Sequence, residues 1–203
     1  MTRLIRWCGY FGVLGGLAYL PARFLIHPAY DGSVEGLVGW GLDMTAIICS
    51  LLLFTGILLC QWDKIGKVGL FSYFSTFILS AIFAGHQFGL ILLAPVIYKI
   101  DPQFFSMNSV PPLSFLIPTI VNVFLKNVSL ILFASLSIKY KVMPRWALIM
   151  LILGSVVDFA PMGDYIGRIL FGIAFIGLGS ALWQASAVRK QQVVETKTAG
   201  VTL

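Results

Sequence analysis

Charge is what this chain has least of. Its 203 residues include only 8 acidic and 14 basic side chains, so charged residues make up 11% where hydrophobic ones make up 59%. A soluble domain carries about a quarter of its residues as charges, and a fold with so few could not cover its surface in water. Histidine is nearly absent: His27 and His86 are the only two, in different segments. That argues against a HExxH hydrolase and a multi-haem bundle. Cysteine is sparse, with Cys8, Cys49 and Cys60 forming no CxxC pair and no zinc spacing, so neither a metal centre nor a disulfide framework is expected. The chain also lacks a Walker A loop, a GxGxxG turn and a GxSxG elbow. No cofactor is expected, and no catalytic residue can be assigned.

The apolar residues are gathered into long runs. A spanning helix needs about 20 mostly apolar residues, and six stretches qualify: about 6–26, 37–61, 69–97, 113–136, 145–160 and 166–186. The expected fold is therefore all-α, a polytopic membrane helix bundle of about six transmembrane helices formed as one domain by residues 1–186. Residues 187–203 (AVRKQQVVETKTAGVTL) read as a polar, disordered cytoplasmic tail. The first run resembles a signal peptide, with Arg3 and Arg6 before an apolar stretch, but no small-x-small cleavage site leads into a polar mature sequence. An uncleaved helix is the better reading.

The net charge of +6 would suggest nucleic acid in a soluble protein. Here the basic residues lie in short loops between apolar runs, so the expected partner is the lipid bilayer and not nucleic acid. Lys and Arg gather on the cytoplasmic side of membrane proteins. Arg3, Arg6, Lys64, Lys67, Lys139, Lys141, Arg145, Arg189, Lys190 and Lys197 fall on one side, against Arg23, Lys99 and Arg168 on the other. Both termini are then cytoplasmic, which requires an even number of spans and agrees with six. The expected location is the cell membrane.

The candidate chemistry lies in the few polar groups within the runs. Ionisable residues are costly in hydrocarbon and usually face a partner or a cavity. Asp43, His86, Lys126 and Asp158 are such residues, with Gln87 and Asn122 nearby and Arg23 at the outer end of the first run. At 1.5 Å per helical residue, all fall in the outer half of the bilayer. The expectation is a shared polar pocket open to the outside, with Lys126 as its floor and Asp43 or Asp158 as its counter-ion. Ser72, Thr76, Ser80 and Gln87 form a stripe on the third run, read as interhelical hydrogen bonding. The many glycines read as packing positions.

Such a pocket fits binding or proton-linked transport of a small solute. Six short helices are few for a lone transporter, so a homodimer or another membrane partner would complete a pathway. The alternatives are a non-catalytic accessory or immunity-type membrane protein, and an intramembrane acid–base enzyme acting on a lipophilic substrate.

Overall fold

Every apolar run becomes a helix because a chain in lipid must satisfy its backbone N–H and C=O groups within the segment itself. The computed structural model describes residues 2–25, 33–101, 113–160 and 163–200, and among them finds helices and turns only. The helices are α1 (Thr2–Leu25), α2 (Val34–Gln61), α3 (Gly66–Ile100), α4 (Leu113–Tyr140), α5 (Arg145–Val157) and α6 (Gly163–Gly200). The protein is thus an all-α helical bundle of the membrane-protein kind, with its helices where the sequence places them.

Among the described residues, four helices are long and apolar enough to cross a membrane: α2, α3, and the segments Leu116–Tyr140 of α4 and Tyr165–Ser186 of α6. The 28 residues of α2 extend about 42 Å, well beyond a hydrocarbon core of about 30 Å. The other two fall short for different reasons. α1 is long enough at 24 residues, but Gly9, Gly12, Gly15 and Gly16 dilute its apolar stretch and arginine stands near both of its ends. α5 has 13 residues, or about 20 Å of helix, and stops before the expected boundary at 160. Ala160 precedes Pro161, which disfavours helical backbone at residue 160.

The ends follow local rules. Ser33 caps α2, its Oγ accepting from the Gly36 N–H at 3.1 Å. The turn from α2 into α3 needs a left-handed residue, and Gly66 takes it with φ +55. α6 continues to Gly200, past the point where a disordered tail was expected. The sequence from Arg189 to Lys197 is rich in helix formers, and extending an existing helix carries no nucleation cost.

Successive helices pack against one another, α6 returns to α1, and α2 also touches α6. Helices α2 to α6 therefore close a five-membered ring, with α1 laid over the seam between α2 and α6. That seam is built on glycine. A methyl group at Gly179 would stand 2.5 Å from the carbonyl oxygen of Gly9, and one at Gly16 would stand 2.5 Å from that of Gly172. Only hydrogen fits where two helix backbones approach so closely. Cys8 lies against Gly56, so α1 begins beside the end of α2. Arg3, Arg6, Lys64, Lys67, Lys139, Lys141 and Arg145 thus share one end of the bundle, called here the basic end.

The outer faces are greasy. Phe71, Phe74, Ile78, Ile82, Leu92 and Val96 of α3, with Ile117, Ile120, Phe124 and Leu132 of α4, are all exposed. An apolar band of this extent belongs in lipid. Inside, Phe54, Phe133, Phe171 and Phe175 meet near the centre, with Tyr19 reaching in from α1.

Candidate functional site

Above this aromatic floor, toward the end opposite the basic one, the ring interior turns polar. Asp43 lies nine residues into α2, about 13 Å along the helix axis. It is fully buried. Gln87 of α3 donates its Nε2–H to Asp43 Oδ2 at 3.0 Å, and Arg168 of α6 pairs with Asp43 Oδ1 through Nη1. One carboxylate therefore ties three helices together. The ion pair is satisfied at both carboxylate oxygens, the condition under which a buried charge is tolerated. The Arg168 guanidinium also lies 5.9 Å from the ring of Tyr19.

Lys126 enters from α4 one turn deeper. Its Nζ stands 4.5 Å from the centre of the Phe83 ring, a cation–π distance. The half-buried His86 is also stacked on that ring, at 6.4 Å and 20°. Lys126 also lines a cavity of about 20 Å³ with Tyr19, Ile47, Ser50, Ser80 and Phe171. That is room for about one water molecule.

A second polar contact joins α4 to α5. Asn127 is fully buried and donates its Nδ2–H to Asp158 Oδ2 at 2.9 Å. Asp158 caps the C-terminal end of α5. It lies where α5 and α6 approach closely: a methyl on Gly167 would stand 3.2 Å from the carbonyl oxygen of Gly154 and 3.6 Å from Asp158 Oδ1. Above the contact, the rings of Phe124 and Phe159 meet at 5.8 Å. The Oδ1 atoms of Asn122 and Asn127 are buried and receive no hydrogen bond.

Of the expected residues, Asp43 and Gln87 are in direct contact, and Lys126 and His86 meet on Phe83. Asp158 is engaged by Asn127. Asn122 lies one turn beyond Lys126 on α4, and the side chain of Arg23 lies outside the described residues. Sequence reasoning missed two members. Arg168 was counted as a loop charge although it lay inside the sixth run. Asn127 was overlooked beside Lys126, although a further polar residue within a span was itself a signal. The polar stripe of α3 is buried at Ser72, Thr76, Ser80 and Gln87. Two of its hydroxyls bond within their own helix: Ser72 Oγ donates to the Gly69 carbonyl and Thr76 Oγ1 to that of Ser72, each at 2.8 Å. The carbonyl one turn back is the nearest acceptor in lipid.

Among the described residues no group of three or more His, Cys, Asp and Glu side chains could hold a metal ion. No protein family, curated protein or solved structure matches this chain.

Proposed function

We propose that this is a multi-pass protein of the cell membrane that binds a small solute in the polar interior of its outer half and links that binding to protonation of Asp43. The observation that carries the reading is the fully buried Asp43 carboxylate held between Arg168 and Gln87. Both termini lie in the cytoplasm, on the basic-end argument, and the site opens to the opposite side.

The mechanism follows from competition for one cation. While Asp43 is ionised, it occupies the Arg168 guanidinium. A proton on Asp43 removes that hold and frees the planar, bidentate donors of Arg168 for an anionic group on the solute. Lys126 lines the cavity beside Ile47, one turn below Asp43, and adds a second positive charge to the floor of the polar interior. Solute and Asp43 carboxylate then exclude each other, so binding of an anionic solute takes up a proton. A homodimer, or a second membrane protein, completes a full pathway.

The test is reconstitution into proteoliposomes loaded with a pH-sensitive dye and challenged with a panel of small carboxylates, amino acids and sugars. Wild-type protein should acidify the lumen on addition of at least one anionic solute, and Asp43→Asn should not. No proton movement with any member of the panel would refute the reading. It would leave the polar ring as the structural core of an accessory protein.

A further inference from the structure

The contact between α4 and α5 has a different character from the Asp43 ion pair, because apart from the one Asn127 amide donor it consists of acceptors. Among the described residues, Asp158 has no cationic partner: its side chain receives a single hydrogen bond, from Asn127 Nδ2. That bond fixes the amide, so Asn127 Oδ1 is the atom left without a donor, on a side chain that is fully buried. Ser155 lies one turn below Asp158 on α5 and is also fully buried. Its hydroxyl donates to the Leu151 carbonyl at 2.9 Å, so only its lone pairs remain to be used. The C-terminal end of α5 adds the partial negative charge of a helix terminus.

We infer that the Asp158 carboxylate, Asn127 Oδ1 and Ser155 Oγ form a binding site for a monovalent cation of the sodium type, separate from the Asp43 site. An orphan acceptor is costly in a dry interior, and the donor or cation it lacks must also suit the neighbouring carboxylate. A proton alone does not meet both needs. Protonated Asp158 could donate to Asn127 Oδ1 only if the amide turned over, and Nδ2 would then lose its acceptor. A water can donate to both atoms but leaves the carboxylate charge unbalanced, whereas a cation shared by Oδ1 and the carboxylate satisfies both atoms and balances that charge with the amide as it stands. Oxygen-only donors suit a hard cation, and one carboxylate is too little charge for a protein-held divalent ion.

Purified full-length protein in detergent is the material for the test. Its melting curve is recorded in sodium, potassium and choline chloride at equal ionic strength, and saturable binding of ²²Na⁺ is measured directly. Sodium should raise the melting temperature by several degrees over choline, with a saturating dependence on concentration. Asn127→Leu and Asp158→Asn should each abolish the shift, and Ser155→Ala should weaken it. Identical curves in sodium and choline would overturn the inference, and so would a sodium shift that survives both Asn127→Leu and Asp158→Asn. The ²²Na⁺ measurement on wild-type protein decides independently of how well those variants fold: absence of saturable binding refutes the site. None of these readouts depends on Asp43, so the outcome is distinct from that of the solute assay.

Discussion

Neutralising Asp43 and Arg168 separately and together probes the centre of the bundle most sharply. The Asp43 side chain is 1% exposed and that of Arg168 14%, so the carboxylate is shut off from water and the guanidinium largely so. Removing one partner of a buried pair strands the other, at about 3–5 kcal/mol, whereas removing both is often nearly neutral. Arg168→Met leaves a buried carboxylate that can escape only by taking up a proton. Asp43→Asn leaves a guanidinium that keeps slight exposure and the face of Tyr19, so its cost belongs at the lower end of that range. The double variant Asp43→Asn/Arg168→Met contains neither stranded charge. It should unfold within about 2 kcal/mol of wild type, against a summed single loss of about 6 kcal/mol or more. Ordinary polar contacts in membrane bundles couple by only about 0.6 kcal/mol on average, so this interaction should stand well clear of them. Unfolding by SDS in mixed micelles, followed by circular dichroism, gives the four stabilities. A coupling below about 0.5 kcal/mol would refute the ion pair as an energetic link between α2 and α6.

Gly179→Leu should separate α1 from α6, because the position of its Cβ is bounded by backbone on the α1 side. A loss of at least the 1–3 kcal/mol typical of overpacking is expected in the same assay. Gly41→Ala meets nothing within 4 Å and should be neutral or gain up to about 1 kcal/mol from helix propensity; equal losses at the two positions would contradict the packing account. For the topology, a cysteine at the exposed Asp101 (Asp101→Cys) should react with a membrane-impermeant maleimide in intact cells. One at the exposed Asp63 (Asp63→Cys) should react only after the membrane is opened, and the reverse pattern would invert the orientation.

The helices were legible because length and apolarity suffice to define them in lipid. Boundaries shifted where local chemistry intervened, as at Ala160 before Pro161. The site was half legible. Depth along each helix put Asp43 and Gln87 at one level, where the two side chains are hydrogen-bonded, with Lys126 one turn deeper. Depth says nothing about azimuth, so it could not separate Arg168 from a loop charge or choose between counter-ions. Arg168 was obscured by a rule about loops applied to a residue five positions inside its helix, and Asn127 because Asn122 and Lys126 already stood for the polar face of α4, although Asn127 lies about 100° further round the helix. The α3 stripe was legible as a buried face, but its hydroxyls turned to their own helix, which sequence spacing alone does not decide.

The polar contacts fall into two belts, and their placement implies how the bundle could move. At the basic end, Gln61 and Ser137 exchange hydrogen bonds of 2.9 and 3.2 Å between α2 and α4. Tyr140 Oη donates to the Ile65 carbonyl at 2.9 Å, and the hydroxyls of Thr55 and Tyr73 lie 2.9 Å apart. These neutral bonds pin the α3–α4 hairpin to α2 and do not respond to a proton. At the opposite end the hairpin is held by Gln87 on Asp43 and Asn127 on Asp158, contacts that change when a carboxylate changes charge. The glycine-packed unit of α1, α2 and α6 offers no comparable freedom, because its backbones are already in contact. A hairpin pinned below and latched above should pivot at the latch. Gln61→Leu, which removes a pin, should therefore change the maximal rate of solute-driven proton movement while leaving its pH dependence in place. Asp43→Asn should abolish the pH dependence itself. If Gln61→Leu instead shifts the pH profile and leaves the rate unchanged, the two belts do not divide the work of hinge and switch in this way.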